Sequence, residues 1–394
     1  MLDFFNATLI LPDGLMPQAA FSVRNGRFTN IGYPRKASVE AVSLMGKYVA
    51  PGFIDLHVHG GDGADFMDLT PEAFKTVCRC HARHGTTTLT PTSTVATRSQ
   101  YKRFLQLCGE LSAPNADTGG ARLAGGHLYG PYFHPAAKGC HPAADFLTPD
   151  PKQDDELLAF AGKGLKTLTV APETPGTERL VKAAKEKGLL VTAGHTYATF
   201  EQLEAAVGWG VRHIDHLFCA MSDRARLRVE QPFPMRAGVM EGTLYHDQLT
   251  TEVIADGVHL SAGLLKLAYK LKGPDKLALV SDAMRAVDRP DGEYWFGPAD
   301  FGELVRRKGN GGLTLDGQGL ASGVMGMDHC VRTMKQATGA GLPEVVRMAS
   351  LTPARILGID RDTGSLEVGK RADFVVLTED LQVDRVYVGG VKVN

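Results

Sequence analysis

Short apolar runs alternate with amphipathic stretches through the middle of the chain. The runs are Phe53 to His59, Thr86 to Thr90, Leu123 to Tyr129, Thr167 to Ala171, Leu189 to His195, Val211 to His216, Glu252 to Ala255 and Leu277 to Asp282. Between them, Pro71 to His84, Thr177 to Lys187, Phe200 to Trp209 and Ala262 to Lys272 read as helices. Continuous apolar strands separated by helices predict a parallel sheet buried on both faces. Eight such units over this length predict an α/β fold closed as a (β/α)8 barrel of the TIM type. The stretch from Ser222 to Thr250 reads as a loop-like insertion near the barrel mouth, rich in arginine.

The two ends have a different texture. Ala7 to Leu11, Ala20 to Val23 and Phe28 to Ile31 read as short strands, the last two joined by an Asn25-Gly26 hairpin turn. Asp373 to Leu377 and the closing RVYVGGVKV match them in kind. Neither end alone holds enough strands to be stable, so the two are expected to pair. The predicted organisation is a small β-sandwich domain from residues 1–50 and 361–394, around a catalytic barrel spanning 51–360.

Composition narrows the function. The chain has 394 residues, with 43 Lys and Arg against 44 Asp and Glu. No basic excess exists to neutralise phosphates, which argues against a nucleic-acid partner or an anionic membrane surface. No apolar window reaches the roughly 18 residues of a membrane span, and MLDFFNATLILPDGL lacks the basic start of a secretory signal. Cys78, Cys80, Cys108, Cys140, Cys219 and Cys330 form no framework, so reduced thiols in the cytoplasm are expected.

The candidate chemistry lies at the ends of the runs. In PGFIDLHVHGGDGADFMD, His57 and His59 are two residues apart, so both imidazoles face one side of a strand. Four later runs end alike, at His195, His216, His259 and Asp282. Any one histidine could be a buried, hydrogen-bonded residue, and Asp282 alone could be a helix N-cap. Five histidines and one aspartate at C-terminal strand ends point instead to a metal centre, because that face carries the active site of such barrels. Imidazole and carboxylate ligands suit zinc or iron(II). A divalent ion lowers the pKa of water from 15.7 towards about 7. Asp282 beside it would take that proton and deliver it to a leaving amine. His213 and His246 fall outside the pattern and read as structural.

These residues resemble the amidohydrolase superfamily and, within it, the N-acetylglucosamine-6-phosphate deacetylase family. PGFIDLHVHG, GADFMD, GGHLYGPYFHPAAKGCHP, TVAPE, TAGHT, DHLFCAM, IADGVHL, LVSDAM, LTPARILG and GSLEVGKRADFVVL follow in the family's order through nearly the whole chain. The resemblance implies a metal-dependent hydrolase, commonly a homodimer, that removes acetate from an N-acetylated amino sugar phosphate. It implies His195 and His216 as metal ligands, His57 and His59 as the pair that serves a second ion, and Asp282 as general acid/base. It implies substrate contacts from His141, His259 and the Ala220 backbone.

Three departures are visible. HLYGP replaces HLEGP, so Tyr129 stands where the family has a metal-binding glutamate. A neutral phenol is a poor ligand, and one ion rather than two is expected, held among His57, His59, His195, His216 and Asp282. Cys219 replaces an asparagine at the phosphate end, and a thiol lacks that amide's donors. The family's Arg-Glu-Pro-Gly motif is not intact; Arg236, or Arg224, Arg226 or Arg228, would have to hold an anion. Two other readings stay open: an amidohydrolase for another acylated sugar, a cyclic amide or an aminated ring, and a non-catalytic sugar-phosphate sensor. Metal content together with hydrolysis separates the sensor from the enzymes.

Overall fold

The computed structural model describes residues 2–33, 41–143, 146–230, 233–300 and 302–393. The eight runs are the eight barrel strands: Phe53–Val58, Thr86–Pro91, Gly126–Leu128, Leu165–Val170, Leu190–Ala193, His213–Ile214, Thr250–Ile254 and Leu277–Val280. All neighbours pair in parallel. Parallel bridges Thr92 to His127 and Val58 to Ala283 join the two arcs of sheet and close the barrel. Closure is reinforced from inside: the buried Asp55 carboxylate on the first strand accepts from the Ser281 hydroxyl and backbone N–H after the last.

Helices follow the strands with their ends marked in the sequence. Thr70 caps Pro71–Arg83, and Thr97 and Thr199 form reciprocal caps with Gln100 and Gln202 at Arg98–Leu111 and Phe200–Trp209. Their apolar faces pack on the strands and form the two large cores. Among the described residues, no helix is long and apolar enough to cross a membrane.

Leu2–Leu11, Gly14–Arg24, Arg27–Gly32, Val42–Ser43 and Tyr48–Pro51 from the first segment share one sheet with Phe374–Leu377, Val383–Val388 and Val391–Lys392 from the last. The sheet curls on itself. Phe28 and Phe374 lie four strands apart in sheet order, yet their rings are 6.0 Å apart. Phe4, Phe21, Phe374 and Tyr387 fill the space between with stacked and edge contacts.

Three local expectations need correction. The third run is broken: Arg122–Leu123 pairs with Thr88 and Leu89, whereas Gly126–Leu128 forms its ladder with the fourth strand and meets the second only through the Thr92–His127 bridge. Gly125 between them has φ +105, which a side chain would resist. Residues 222–250 are not one loop, since they hold the short helices Arg224–Glu230 and Val239–Tyr245. After the last barrel strand, Gly292–Phe296, Glu303–Lys308, Gly311–Thr314 and Leu320–Gly323 form a four-stranded antiparallel sheet that the run pattern does not announce.

His84, at the end of the first helix, ties these parts together. Its ring lies 3.0 Å from Asp288 and 2.9 Å from Asp328, which belong to the loop after the last strand and to helix Met327–Thr338. Burial works against its charge, but the two carboxylates raise its pKa to about 9. A raised folded pKa means that this stabilisation is complete below pH about 6.5 and is lost as pH rises through about 9. His84→Ala therefore lowers the melting temperature at pH 6. Melting curves for both proteins converge above pH 9.

Candidate active site

The first strand carries Asp55 and His57 on its inward face, with His59 following in the same register. His57 has no freedom to turn: its Nδ1 is 2.8 Å from Glu252 Oε1, and its ring is fully buried. The carboxylate accepts, so Nδ1 carries a proton and Nε2 is the nitrogen left to serve an ion. That Nε2 has no hydrogen-bond partner among the described residues. His59 is held alike, with Nδ1 3.2 Å from the Thr92 carbonyl.

Asp282 completes the cluster from the end of the last strand. Its Oδ1 lies 3.5 Å from His57 Nε2 and 3.3 Å from His59 Nε2. Two ligands at about 2.0–2.1 Å from one tetrahedral ion lie about 3.3 Å apart. The spacing and the orphaned lone pair of His57 thus fit a divalent ion shared by His57, His59 and Asp282. Burial alone would raise the Asp282 carboxyl, but the His59 hydrogen bond and the charges of His57, His59 and His216 hold it well below the usual range. Asp282 has φ +46, and His195, Phe218 and Ala220 are also left-handed, so the strand ends are bent sharply to aim these residues.

A cavity of about 410 Å³ opens above the cluster. It is lined by His59, Tyr129, His141, His195, His216, Cys219, Ala220, His259 and Asp282, with Phe296, Gln318, Leu320 and Ser322 supplied by the extra sheet. His195 Nδ1 donates to the Ala137 carbonyl at 2.7 Å, leaving its Nε2 lone pair for the cavity. His141 accepts from the Val95 N–H on Nδ1 at 3.4 Å, so its Nε2 carries the proton; burial keeps it neutral. His259 is paired through Nδ1 with Asp256 at 2.7 Å, and this pairing outweighs burial to raise its pKa. Its Nε2 is the ring nitrogen left for the cavity. Burial pushes the Cys219 thiol up to about 12, so it is a neutral weak donor rather than a nucleophile.

The structure does not bring every predicted residue together. His216 lines the cavity, but its Nε2 is bonded to the Tyr129 hydroxyl at 2.6 Å, and it is not one of the residues whose ligand atoms converge with those of His57, His59 and Asp282. Arg236 does not line the cavity. Arg226 lies outside as well, its guanidinium 4.4 Å from the Tyr197 ring. No lysine or arginine is among the described lining residues.

Sequence reasoning missed the layer beneath. Glu252 holds His57 with one oxygen and His213 Nε2 with the other, at 3.1 Å, and its Oε1 also accepts the His216 backbone N–H at 3.3 Å. Thr169 links His127 Nε2 to Asp215 through contacts of 2.6 and 2.8 Å. A carboxylate inside a strand buried on both faces was the available signal, because such a charge must have a partner.

Comparison with known proteins agrees with this geometry. The Amidohydrolase family model matches residues 48–393. The N-acetylglucosamine-6-phosphate deacetylase of Lysinibacillus sphaericus is 32% identical over 387 residues, covering 98% of this chain and 96% of that protein. The N-acetylgalactosamine-6-phosphate deacetylase of Escherichia coli O157:H7 is 34% identical over 346 residues, covering 87% and 86%. Among solved structures, an N-acetyl-D-glucosamine-6-phosphate deacetylase variant from Mycobacterium smegmatis, in complex with N-acetyl-D-glucosamine-6-phosphate, superposes with a TM-score of 0.90 at 26% identity, covering 100% of this chain and 99% of that one. The chain belongs to the N-acetylglucosamine-6-phosphate deacetylase family of the amidohydrolases.

Proposed function

We propose that the protein is a metal-dependent hydrolase that removes acetate from an N-acetylated amino sugar phosphate. The observation that carries this reading is the convergence of His57, His59 and Asp282 at the floor of a histidine-lined cavity. His57, His59 and Asp282 would hold the ion, with His195 presenting a further lone pair. A divalent ion bound there supplies a Lewis acid and a water acidic enough to react at neutral pH. Asp282 accepts the water proton and returns it to the departing nitrogen. His141 donates from Nε2 to a substrate oxygen, His259 helps to orient the acetyl group or the sugar, and the Ala220 backbone meets the phosphate or a hydroxyl. Arg236 has no part in this reading.

Imidazole and carboxylate ligands favour zinc, with iron(II) the alternative, at one ion per chain. We place the enzyme in the cytoplasm as a homodimer. The dimer is supported by Val229 and Phe233, exposed by 82% and 83%, and by Met235 and Tyr245 on the same segment.

Glu252 fixes the tautomer and direction of His57, as outer-shell carboxylates do at metal centres. Glu252→Gln is expected to weaken metal affinity by roughly 10–100-fold, measured by competition with a chromophoric chelator.

One observation favours a second substrate reading, an unphosphorylated acylated sugar: the cavity has no lysine or arginine among its described residues. Acetate release from the 6-phosphates of N-acetylglucosamine and N-acetylgalactosamine, against N-acetylglucosamine itself, separates the two. A phosphate held by charged hydrogen bonds raises kcat/KM by about 10–100-fold, the equivalent of roughly 1.5–3 kcal/mol. Equal or better use of the unphosphorylated sugar would select the second reading.

A further inference from the structure

Tyr129 follows the third barrel strand, and its ring is packed among His57, His127, Phe133 and His195, with centroids 4.6, 5.0, 4.6 and 5.3 Å away. Tyr129 is one of the cavity's lining residues, and its hydroxyl meets His216 Nε2 at 2.6 Å. A phenol can donate once and accept twice. Among the described residues the hydroxyl is hydrogen-bonded to His216, so the direction of that bond decides what remains.

His216 Nδ1 is buried with no hydrogen-bond partner among the described residues. If the imidazole proton sat there, a buried N–H would lack an acceptor, at a cost of about 1–3 kcal/mol. With the proton on Nε2, it is bonded to the Tyr129 oxygen and only a lone pair is left over, the milder of the two defects. In that arrangement the phenol accepts from His216 and keeps its own O–H for the cavity. The His216 donor also polarises the phenol and makes that O–H a stronger donor. Nε2 of His216 then offers no lone pair to an ion, and only Nδ1 retains one.

We propose that Tyr129 is a catalytic residue: its hydroxyl donates to the acyl oxygen as negative charge develops there, in the place where a glutamate would hold a second ion. The proposal rests on the amide-hydrolase reading above. The balance of the step is simple. The water oxygen forms a bond to the acyl carbon, the C–N bond breaks, and the water proton passes through Asp282 to the nitrogen. Acetic acid and a free amine result, and Tyr129 retains its proton throughout. Donors aimed at a developing oxyanion are worth about 10²–10³ in kcat.

The test compares wild type, Tyr129→Phe and Tyr129→Glu by kcat, KM, metal per chain and melting temperature. Tyr129→Phe is expected to lower kcat by about 10²–10³-fold, with KM within a few-fold and metal still near one per chain. Tyr129→Glu is expected to raise metal towards two per chain and recover activity. A Tyr129→Phe kcat within about threefold of wild type, or no gain of metal in Tyr129→Glu, would overturn the proposal. If the phenylalanine variant does not fold, 3-fluorotyrosine at position 129 keeps the shape and changes only the phenol's acidity. A kcat that shifts with fluorination supports the donor role, and an unchanged kcat removes it. Wild-type protein that hydrolyses no acylated amino sugar would overturn the reading beneath the proposal, whereas active wild type with an indifferent Tyr129→Phe overturns the proposal alone.

Discussion

Asp282→Asn lowers kcat for acetate release by about 10²–10⁴-fold, the span that general acid–base catalysis contributes, while metal stays largely in place. The backbone gives no reason for collapse, because position 282 has φ +46 and asparagine tolerates the left-handed region well. The amide oxygen still faces His57 and His59, which carry the carboxylate contacts of 3.5 and 3.3 Å. What is lost is the ability to take a proton from water and return it to the amine. Measuring kcat and metal content on one sample separates the chemical loss from the loss of the ion. Turnover near wild type would remove Asp282 from proton transfer.

His59→Asn acts on the ion itself. It takes away one of three donors that converge at ligand spacing, and the asparagine amide can still reach the Thr92 carbonyl that His59 Nδ1 bonds at 3.2 Å. Loss of an outer partner such as Glu252 costs roughly 10–100-fold in affinity, so loss of a ligand costs more than about 100-fold. Dialysed His59→Asn protein is expected to carry almost no metal and no activity. Its melting temperature is expected not to respond to added zinc, whereas that of wild type rises, since an ion bound only by the folded state stabilises it by mass action. A full complement of metal in this variant would move the ion away from His59.

Much of the barrel was legible because its strands are buried on both faces. Each reads as a short apolar run that differs plainly from the helices between, and a histidine or aspartate after such a run falls on the active-site face. The terminal strands were legible in part: the Asn25-Gly26 turn was clear, but Leu2–Leu11 and Gly14–Arg24 extend beyond their apolar stretches because β pairing carries polar residues along. The sheet over the mouth was hidden for the same reason. Gly292–Phe296 alternates between half-buried and exposed positions, and Gly311–Thr314 is half glycine. Arg224–Glu230 and Val239–Tyr245 are too short for periodicity to mark them.

At the site, strand-end position was informative and side-chain pairing was not. His57, His59 and Asp282 meet, and His141, His195 and His259 share their cavity. His216 sits among them, yet its Nε2 is taken by Tyr129, a contact that depends on three-dimensional placement of two distant strand ends. His213 was read as structural. It is buried against Glu252, the residue that also orients His57, so the structural and functional layers are one hydrogen-bonded system.

The most direct measurement is acetate release from N-acetylglucosamine 6-phosphate by purified protein, with metal content determined on the same sample. Acetate release that stops on chelation and returns with one ion per chain is the expected result. Metal bound at one per chain with no acetate released from this substrate or from N-acetylgalactosamine 6-phosphate would contradict the deacetylase assignment.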